Sequence, residues 1–426
     1  ALARLAGAAP DPRAVADFGA EVGWAKARMV GPGDYEARAG AAGRAPRLGL
    51  ALLAAAFGRY EADKRRAGVV DFDDLVSGCA HALETDIEFA AAQRWRFRHL
   101  FVDEFQDLNP AQFRLLRGWL GDRDDLCVVG DPDQAIYSWN GADPTLLVSF
   151  ADHFPTATVL RLDRNYRSTP QIVATAATLV ASRHGPLCPS RQPEGPVPTV
   201  VAYDSGRTEA RGVATRLHEA HRPGRSWSHM AVLMRTNGQA ALVIEALDAA
   251  GIPYRAPGAG PASQTEAAAV LGQLRGNLRP PAIGATIADL RAMVDEAPVD
   301  RQPALDQLAD LARTFATLDP LADLDAFSAW LATLDADGPA AGAGHGVEIT
   351  TLHRAKGLEW PVVFIIGLEQ GLVPFGSRRP AAAEAEERRL LYVGLTRATH
   401  ELNCSWARTR MVGGRSLRRQ PSPYLA

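Results

Sequence analysis

Cysteine pairs, long apolar runs and an excess of charge of either sign are all missing from this 426-residue chain. Its four cysteines, Cys79, Cys127, Cys188 and Cys404, are scattered, without a CxxC pair or a neighbouring histidine cluster. This argues against a zinc site or a disulfide framework and fits a reducing cytoplasm. No apolar run approaches the roughly 20 residues that cross a membrane, and the N-terminus is a poor signal peptide.

The charges nearly balance, with 46 Lys and Arg against 49 Asp and Glu, for a net charge of −3. This balance provides no global attraction for nucleic acid, so any DNA or RNA binding requires a local groove. A hydrophobic content of 47% is that of an ordinary globular protein, and the length allows two or three domains.

A phosphate-binding loop of the form GxxxxGK[ST] is also absent from these residues. In such a loop, backbone N–H groups and a lysine cradle the phosphates of a nucleotide. Two glycine-rich GAG pieces, at 258–260 and 342–344, lack the lysine that would follow.

The most informative stretch that is present is HLFVDEFQDLNPAQFRLL, at 99–116. Its apolar run predicts a buried strand of a parallel sheet, and the run ends in Asp103 and Glu104. Ligands of open α/β sheets bind outside the carboxyl ends of such strands. Two carboxylates there can hold Mg²⁺ and orient a water against a phosphate. The alternative is a strand that ends in two solvated acids.

A second short strand is predicted within DLCVVGDPDQAIYSWNGADP, at 125–144, and it is followed by a polar turn. Gln134 in this turn can sense a terminal phosphate or position a water. Tyr137 and Trp139 offer flat faces on which unstacked bases can lie. The alternative, that both aromatics fill a core, is weakened by their polar, Gly- and Asn-rich surroundings.

The segment TATVLRLDRNYRSTPQIVATAATLV, at 156–180, is predicted to form a strand, a turn and a helix. Pro170 suits the first helical position, with Ser168 or Thr169 as the cap. Tyr166 and Arg167 in the turn suit stacking on a base and pairing with a phosphate.

Elsewhere the pattern predicts a helix that stops at Gly68, another that is capped by Asp71, helices within 276–345, and a flexible piece at 337–346. Strands are predicted at 347–351 and 362–366. The basic tail from Trp406 is expected to be frayed.

Six segments, in order and spacing, resemble motifs II to VI of superfamily 1 helicases of the UvrD/Rep/PcrA subgroup. They are DEFQD, GDPDQAIYSWNGADP, NYRSTPQIV, MRTN with LDAAGIPY, TTLHRAKGLEWPVVFIIG and EERRLLYVGLTRA. The likeness spans nearly the whole chain. It implies an α/β fold of two RecA-like parallel-sheet domains, of the P-loop NTPase type, with helical insertions and an ATP site between the domains.

With this resemblance, we expect five segments along the chain. They are a helical subdomain remnant at 1–70, the C-terminal part of the first RecA-like domain at 71–155, the first part of the second domain at 156–275, a short helical insertion at 276–345, and the remainder and tail at 346–426.

The resemblance also implies roles for individual residues. Asp103 would hold Mg²⁺ and Glu104 would act as the base or orient the water. Around ATP, the implied contacts are Gln134, Arg167 and Arg397 on the γ-phosphate, Tyr166 on the adenine and Glu359 on the ribose, with Arg397 acting as an arginine finger. The implied DNA track comprises Tyr137, Trp139, Thr351 and His353.

The implied function is that of an ATP-dependent 3′→5′ DNA helicase or single-stranded DNA translocase in DNA repair or replication. Its cofactors would be ATP and Mg²⁺, and its partners single-stranded DNA, ss/ds junctions and a repair protein, in the cytoplasm and without a membrane. In this family the phosphate loop would lie upstream of Ala1, so we expect an N-terminally truncated chain with an incomplete ATP site.

Two alternatives stay open. One is a catalytically inactive remnant that binds DNA or a partner. The other is a helicase–nuclease subunit, which is disfavoured because no acidic and Lys nuclease cluster follows the last motif.

Overall fold

The structure, a computed structural model, describes residues 12–180, 188–255, 270–272, 274, 282–296, 302–319, 322–328, 346–376, 381–412 and 415–425. The predicted flexible piece, up to residue 345, and both GAG pieces lie outside these ranges. The chain forms two compact units, the described residues of Ala1–Leu162 with Arg378–Tyr392, and those of Asp163–Ser377 with Val393–Ala426. None of the described helices is long and apolar enough to cross a membrane.

The first unit is mainly helical. Its helices are α1 (Pro12–Ala27), α2 (Tyr35–Ala41), α3 (Leu50–Ala67), α4 (Phe72–Thr85), α5 (Ile87–Arg96), α6 (Pro110–Leu120), α7 (Thr145–Val148) and α8 (Phe150–His153). Helix α3 ends at Gly68, which adopts a left-handed conformation, and Asp71 caps α4 through a capping box with Asp74. Both predicted helix signals are therefore confirmed.

Two parallel strands, β1 (Leu100–Val102) and β2 (Leu126–Val128), also belong to the first unit. Leu100 and Val102 pack with Phe105 in a hydrophobic cluster, whereas Phe101 between them is 79% exposed. The prediction of a strand is confirmed, but the prediction of a buried strand is wrong. Successive side chains of a strand point to opposite faces, and the described residues cover only one face of this two-stranded sheet.

The strand predicted at the start of 156–180 is also absent, and Val159, Leu160 and Leu162 are exposed. A strand needs a neighbouring strand for its backbone hydrogen bonds, and within the described ranges none pairs with this segment.

The second unit is built on a six-stranded parallel sheet of order β3-β8-β7-β4-β6-β5. Its strands are β3 (Thr199–Tyr203), β4 (Met230–Met234), β5 (Tyr254–Arg255), β6 (Val347–Thr351), β7 (Trp360–Ile365) and β8 (Ala398–Ala407). Strand β4 lies near the middle and is buried along its whole length. The strands predicted at 347–351 and 362–366 are thus confirmed as β6 and β7.

Helices accompany this sheet and an insertion follows β5. The helices are α9 (Pro170–Ala177), α10 (Gly206–Ala220), α11 (Ala240–Ala249), and, in the insertion, α12 (Ile283–Glu296) and α13 (Gln302–Leu318). The apolar core joins the sheet to α10 and α11, and Leu217, Val232 and Phe364 are among its members. A helix α14 (Ala381–Leu395) follows β7 in the sequence, and its residues up to Tyr392 belong to the first unit.

The tail is ordered into a hairpin, so the prediction that it is frayed is wrong. Strand β9 (Thr409–Val412) pairs antiparallel with β10 (Arg415–Arg418), and the short turn Pro423–Leu425 buries Tyr424. The anchor is Arg410, whose buried guanidinium pairs with both Glu209 and Glu369. Such buried ion pairs fix the start of the hairpin against the sheet.

Candidate functional site

The carboxyl ends of β1 and β2 bring the acid pair beside the segment that precedes Gln134. The Val129 amide donates to the Val102 carbonyl at 2.8 Å, and the Phe105 amide donates to the Val129 carbonyl at 2.9 Å. Asp103 and Glu104 are exposed at this edge of the sheet. The position is the one where parallel sheets bind ligands.

Glu104 has an unusual backbone, with φ 51° and ψ 40° in the left-handed region. Its amide donates to Asp103 Oδ1 at 2.8 Å. A residue with a Cβ pays roughly 1–2 kcal/mol for this conformation. Strained residues of this kind cluster at functional sites.

A chain of hydrogen bonds leads from Glu104 to Gln134. The Gln106 side chain is completely buried, and its Nε2 donates to Glu104 Oε2 at 2.5 Å. Its Oε1 accepts from the Asp131 amide at 2.9 Å, and Asp131 Oδ2 accepts from Gln134 Nε2 at 2.8 Å. The structure therefore joins two of the predicted site residues through two others.

Tyr137 and Trp139 stand together in the turn that follows Gln134. Their ring centroids are 6.4 Å apart, and Trp139 is 52% exposed. Helix α14 holds this turn, because Arg389 Nε donates to the Ala135 carbonyl at 2.7 Å and Glu386 Oε1 accepts from the Ser138 amide at 3.1 Å. Burial raises the pKa of Glu386, although the Ser138 amide partly offsets this effect.

In the second unit, Asn165 shapes the turn that carries Tyr166 and Arg167. Its Oδ1 accepts from the amides of Arg167 and Ser168 at 3.0 and 2.9 Å. Helix α9 begins at Pro170 as predicted, but Thr169 makes no side-chain cap, and Ser168 Oγ instead donates to the Ala398 carbonyl at 2.7 Å. The hydroxyl of Ser168 is thus used to fasten the turn to β8, and Tyr166 remains 64% exposed.

Arg167 and Glu359 form an ion pair with each other, with Arg167 Nε 2.6 Å from Glu359 Oε2. Both side chains are partly exposed, so the pair contributes at most about 1 kcal/mol. Opening it to engage another charged group therefore costs little.

Arg397 lies next to this pair but is almost fully buried. Its Nε donates to the Val393 carbonyl at 2.9 Å, and its Nη1 donates to the carbonyl of Leu358, the residue before Glu359, at 3.2 Å. The three residues are thus neighbours in the second unit, although Arg397 faces backbone carbonyls.

Thr351 and His353 follow from the end of β6. Thr351 is the last residue of that strand and is buried, and its Oγ1 accepts from the Arg354 amide at 3.4 Å. His353 lies in the following turn and is half-buried.

Residues 25–155 match the UvrD/REP helicase N-terminal domain. Residues 160–260 and 298–409 match the UvrD-like helicase C-terminal domain. The chain belongs to the UvrD-like helicases. The resemblance drawn from the motifs is confirmed, and with it the α/β fold of RecA-like type.

Among curated relatives, ATP-dependent DNA helicase UvrD2 of Mycobacterium tuberculosis is 38% identical over 96% of this chain and 62% of its own length. ATP-dependent DNA helicase PcrA of Bacillus subtilis is 29% identical over 84% of this chain and 61% of its own. DNA helicase II of Escherichia coli is 28% identical over 86% of this chain and 64% of its own. This UvrD-like chain therefore spans less than two thirds of the length of these relatives.

The residues of this UvrD-like helicase suit ATP and Mg²⁺. An exposed carboxylate, Asp103, at a strand end is a ligand type that Mg²⁺ prefers. The exposed ring of Tyr166 and the weak pair of Arg167 with Glu359 offer a stacking face and separable charges. Glu61, Asp71 and Asp74 form another carboxylate group among the described residues, but Lys26 and Lys64 already form ion pairs with it.

Gln106, Asp131 and Asn165 were missed by the sequence reasoning. All three lie inside the quoted motifs, in DEFQD, GDPDQ and NYRST. Their positions within the motifs could therefore have identified them as functional residues, but only the tertiary structure shows their hydrogen-bond partners.

Proposed function

We propose that this chain is the motor part of an ATP-dependent 3′→5′ DNA helicase or single-stranded DNA translocase that acts in DNA repair or replication. The observation that supports this most is the acid pair at the end of β1, with Glu104 linked by hydrogen bonds to Gln134 in the segment that follows the parallel strand β2. The names of the curated relatives support ATP-dependent DNA unwinding. The 3′→5′ direction rests on the family resemblance.

In the proposed site, Asp103 would hold Mg²⁺, which when bound would neutralise charge on the phosphates. Glu104 orients the attacking water and accepts its proton. Gln134, in the first unit, contacts the γ-phosphate.

The second unit contributes the remaining contacts in this proposal. Tyr166 stacks on the adenine and Glu359 binds the ribose. Arg167 and Arg397 neutralise charge that develops on the γ-phosphate, and Arg397 does so in the manner of an arginine finger. Arg167 must first leave Glu359, at a cost of at most about 1 kcal/mol, and Arg397 must turn away from the Val393 and Leu358 carbonyls.

We further propose that single-stranded DNA, including ss/ds junctions, lies on Tyr137, Trp139, Thr351 and His353. The partly exposed aromatic pair supports base stacking. A repair protein is a proposed partner. The scattered cysteines support a location in the cytoplasm.

The decisive test is Glu104→Gln in the full-length protein. We expect DNA-stimulated ATP hydrolysis to fall about 10²- to 10⁴-fold, because the general base is lost, while binding of a fluorescent ATP analogue is retained. Glu84→Gln is the matched control, since Glu84 is an exposed glutamate that pairs with Arg114, and it should leave hydrolysis unchanged.

Normal hydrolysis by Glu104→Gln would show that the assigned mechanism is wrong. If the unmodified full-length protein binds single-stranded DNA but hydrolyses no ATP, the alternative of a non-catalytic DNA-binding remnant is favoured instead.

A further inference from the structure

We propose that Gln106 is the positioning residue of this site, which holds the Glu104 carboxylate and couples it to Gln134 through Asp131. This inference rests on the proposed role of Glu104 as the base. It adds a link between the residue that contacts the terminal phosphate and the residue that activates the water.

The orientation of the Gln106 amide is determined by its partners. The Asp131 backbone N–H can only donate, so the Gln106 atom 2.9 Å from it must be the carbonyl oxygen. The NH₂ group must then face Glu104, where it donates to Oε2. One oxygen of the Glu104 carboxylate is thereby held in place by a neutral donor.

Packing holds Gln106 in this position. Its side chain has no exposed surface, and a Cβ on Gly130 would lie only 2.6 Å from Gln106 Oε1 and 2.8 Å from Leu147 Cδ2. A side chain at position 130 would therefore displace the Gln106 amide, and glycine there leaves the amide its place. Leaving it without its partners in this buried place would cost about 1–3 kcal/mol.

The link continues to Gln134 through the Asp131 carboxylate. Asp131 Oδ2 accepts from Gln134 Nε2 at 2.8 Å, and Oδ1 accepts from the Asp133 amide at 2.9 Å. A movement of Gln134 therefore displaces Asp131, whose backbone amide orients the Gln106 side chain. The base is aligned best when Gln134 is in its proper place.

Two variants of Gln106 distinguish its hydrogen bond to Glu104 from its hydrogen bond with the Asp131 amide. Gln106→Met removes both hydrogen bonds at nearly constant volume. Gln106→Glu keeps an oxygen for the Asp131 amide but places a second carboxyl group against Glu104, so that the two share a proton and Glu104 is no longer a free base. Gln112→Met is the matched control, because Gln112 is an exposed glutamine that bonds to the backbone of Asn109 in the cap of α6.

In the full-length protein we expect kcat for DNA-stimulated ATP hydrolysis to fall 10- to 100-fold in both Gln106 variants, with KM for ATP within twofold of normal. Gln112→Met should keep the normal kcat. A purely structural role would lower the yield of folded protein or raise KM, and would leave the kcat of folded molecules unchanged.

Hydrogen exchange provides a readout that does not require ATP hydrolysis. The Asp131 amide should exchange at least 10-fold faster in Gln106→Met, because its acceptor is gone, and at the normal rate in Gln106→Glu and Gln112→Met. Unchanged exchange in Gln106→Met would overturn the link between Gln106 and Asp131.

Coupling to Gln134 is tested by a double variant. If the link carries the effect, Gln106→Met combined with Gln134→Ala should lower kcat no further than the more harmful single variant. Multiplicative losses would overturn the coupling.

The inference and the proposed function fail in different ways. If Glu104→Gln abolishes hydrolysis but Gln106→Met has a normal kcat, only the role of Gln106 is wrong. If Glu104→Gln hydrolyses ATP normally, the proposed mechanism is wrong, and the role of Gln106 as the residue that positions its base is overturned with it.

Discussion

Glu104 and Met29 are the two described residues other than glycine with a positive φ, at 51° and 58°. The strain is similar, but the surroundings differ. The Glu104 carboxylate accepts from Gln106, whereas Met29 is an exposed side chain after the end of α1. Strain at Glu104 is compensated by a site-specific contact, and strain at Met29 can be removed.

We expect Met29→Gly to stabilise the protein by about 0.5–1 kcal/mol, because glycine adopts positive φ without a steric cost. Urea unfolding would measure the gain. Met29→Ala is the control, since alanine keeps the Cβ and hence the strain, and it should give no comparable gain. A loss of stability in Met29→Gly would show that the Met29 side chain matters more than its backbone.

The same change at Glu104 should not stabilise the protein. Glycine there would relieve roughly 1–2 kcal/mol of strain, but it would leave the buried Gln106 amide without its acceptor, at about 1–3 kcal/mol. This balance illustrates why a strained residue persists at a site.

Among the helical elements, a compact ion cluster fastens α1, α3 and α4 together. Lys26 Nζ lies 2.5 Å from both Asp71 Oδ1 and Asp74 Oδ1. Lys64 Nζ lies 2.7 Å from Asp71 Oδ2 and 2.6 Å from Asp74 Oδ2. Burial by itself raises the pKa of Asp71, but the hydrogen bonds from both lysines outweigh it and hold that pKa well below its usual range.

We expect Asp71→Asn to destabilise the protein by about 3 kcal/mol, because it leaves two poorly exposed lysines with less compensation. Asparagine caps helices as well as aspartate does, so the loss reports the ion pairs rather than the cap. Asp73→Asn is the matched control, since burial raises the pKa of Asp73 and removing its charge should cost little. Equal losses of stability for Asp71→Asn and Asp73→Asn in thermal unfolding would show that the ion cluster does not stabilise the protein.

The cluster also predicts a pH dependence. The depressed pKa of Asp71 means that its contribution is fully present above the unfolded value of about 4 and is lost as the pH falls below it. We expect the free energy of unfolding to drop between about pH 4 and the acid limit, and to drop less in Asp71→Asn. Parallel pH curves for the two proteins would show that other carboxylates dominate acid unfolding.

For the molecule as a whole, a net charge of −3 provides no general attraction for DNA. The proposed binding of single-stranded DNA must therefore depend on a few local contacts. The proposed contacts include Trp139, which is 52% exposed, and Trp95 in α5 is a more exposed tryptophan, at 72%, outside the proposed track.

We expect Trp139→Ala to weaken binding of single-stranded DNA about 10-fold, because the loss of one base stack costs about 1–3 kcal/mol. Trp95→Ala should have no effect. Fluorescence anisotropy with labelled oligonucleotides at fixed salt would measure both. Equal affinities for the two variants would show that Trp139 does not stack on DNA.

Much of the fold could be predicted from local patterns. Helix α9 starts at Pro170, α3 stops at Gly68, and Asp71 caps α4. Such features depend on residues within one or two turns, so the sequence carries their signal directly. The hairpin of the tail was missed, because the buried pairs of Arg410 join it to residues 201 and 41 positions away.

The sequence alone determined the order of the motifs, the parallel strands that end in Asp103 and near Asp131, and membership of the UvrD-like helicases. Only the tertiary structure decided how these residues are held. Gln106 joins Glu104 to Asp131, and Arg167 pairs with Glu359, 192 positions away. Composition and periodicity describe which residues share a strand or a helix face, whereas hydrogen-bond partners depend on which chain segments packing brings together.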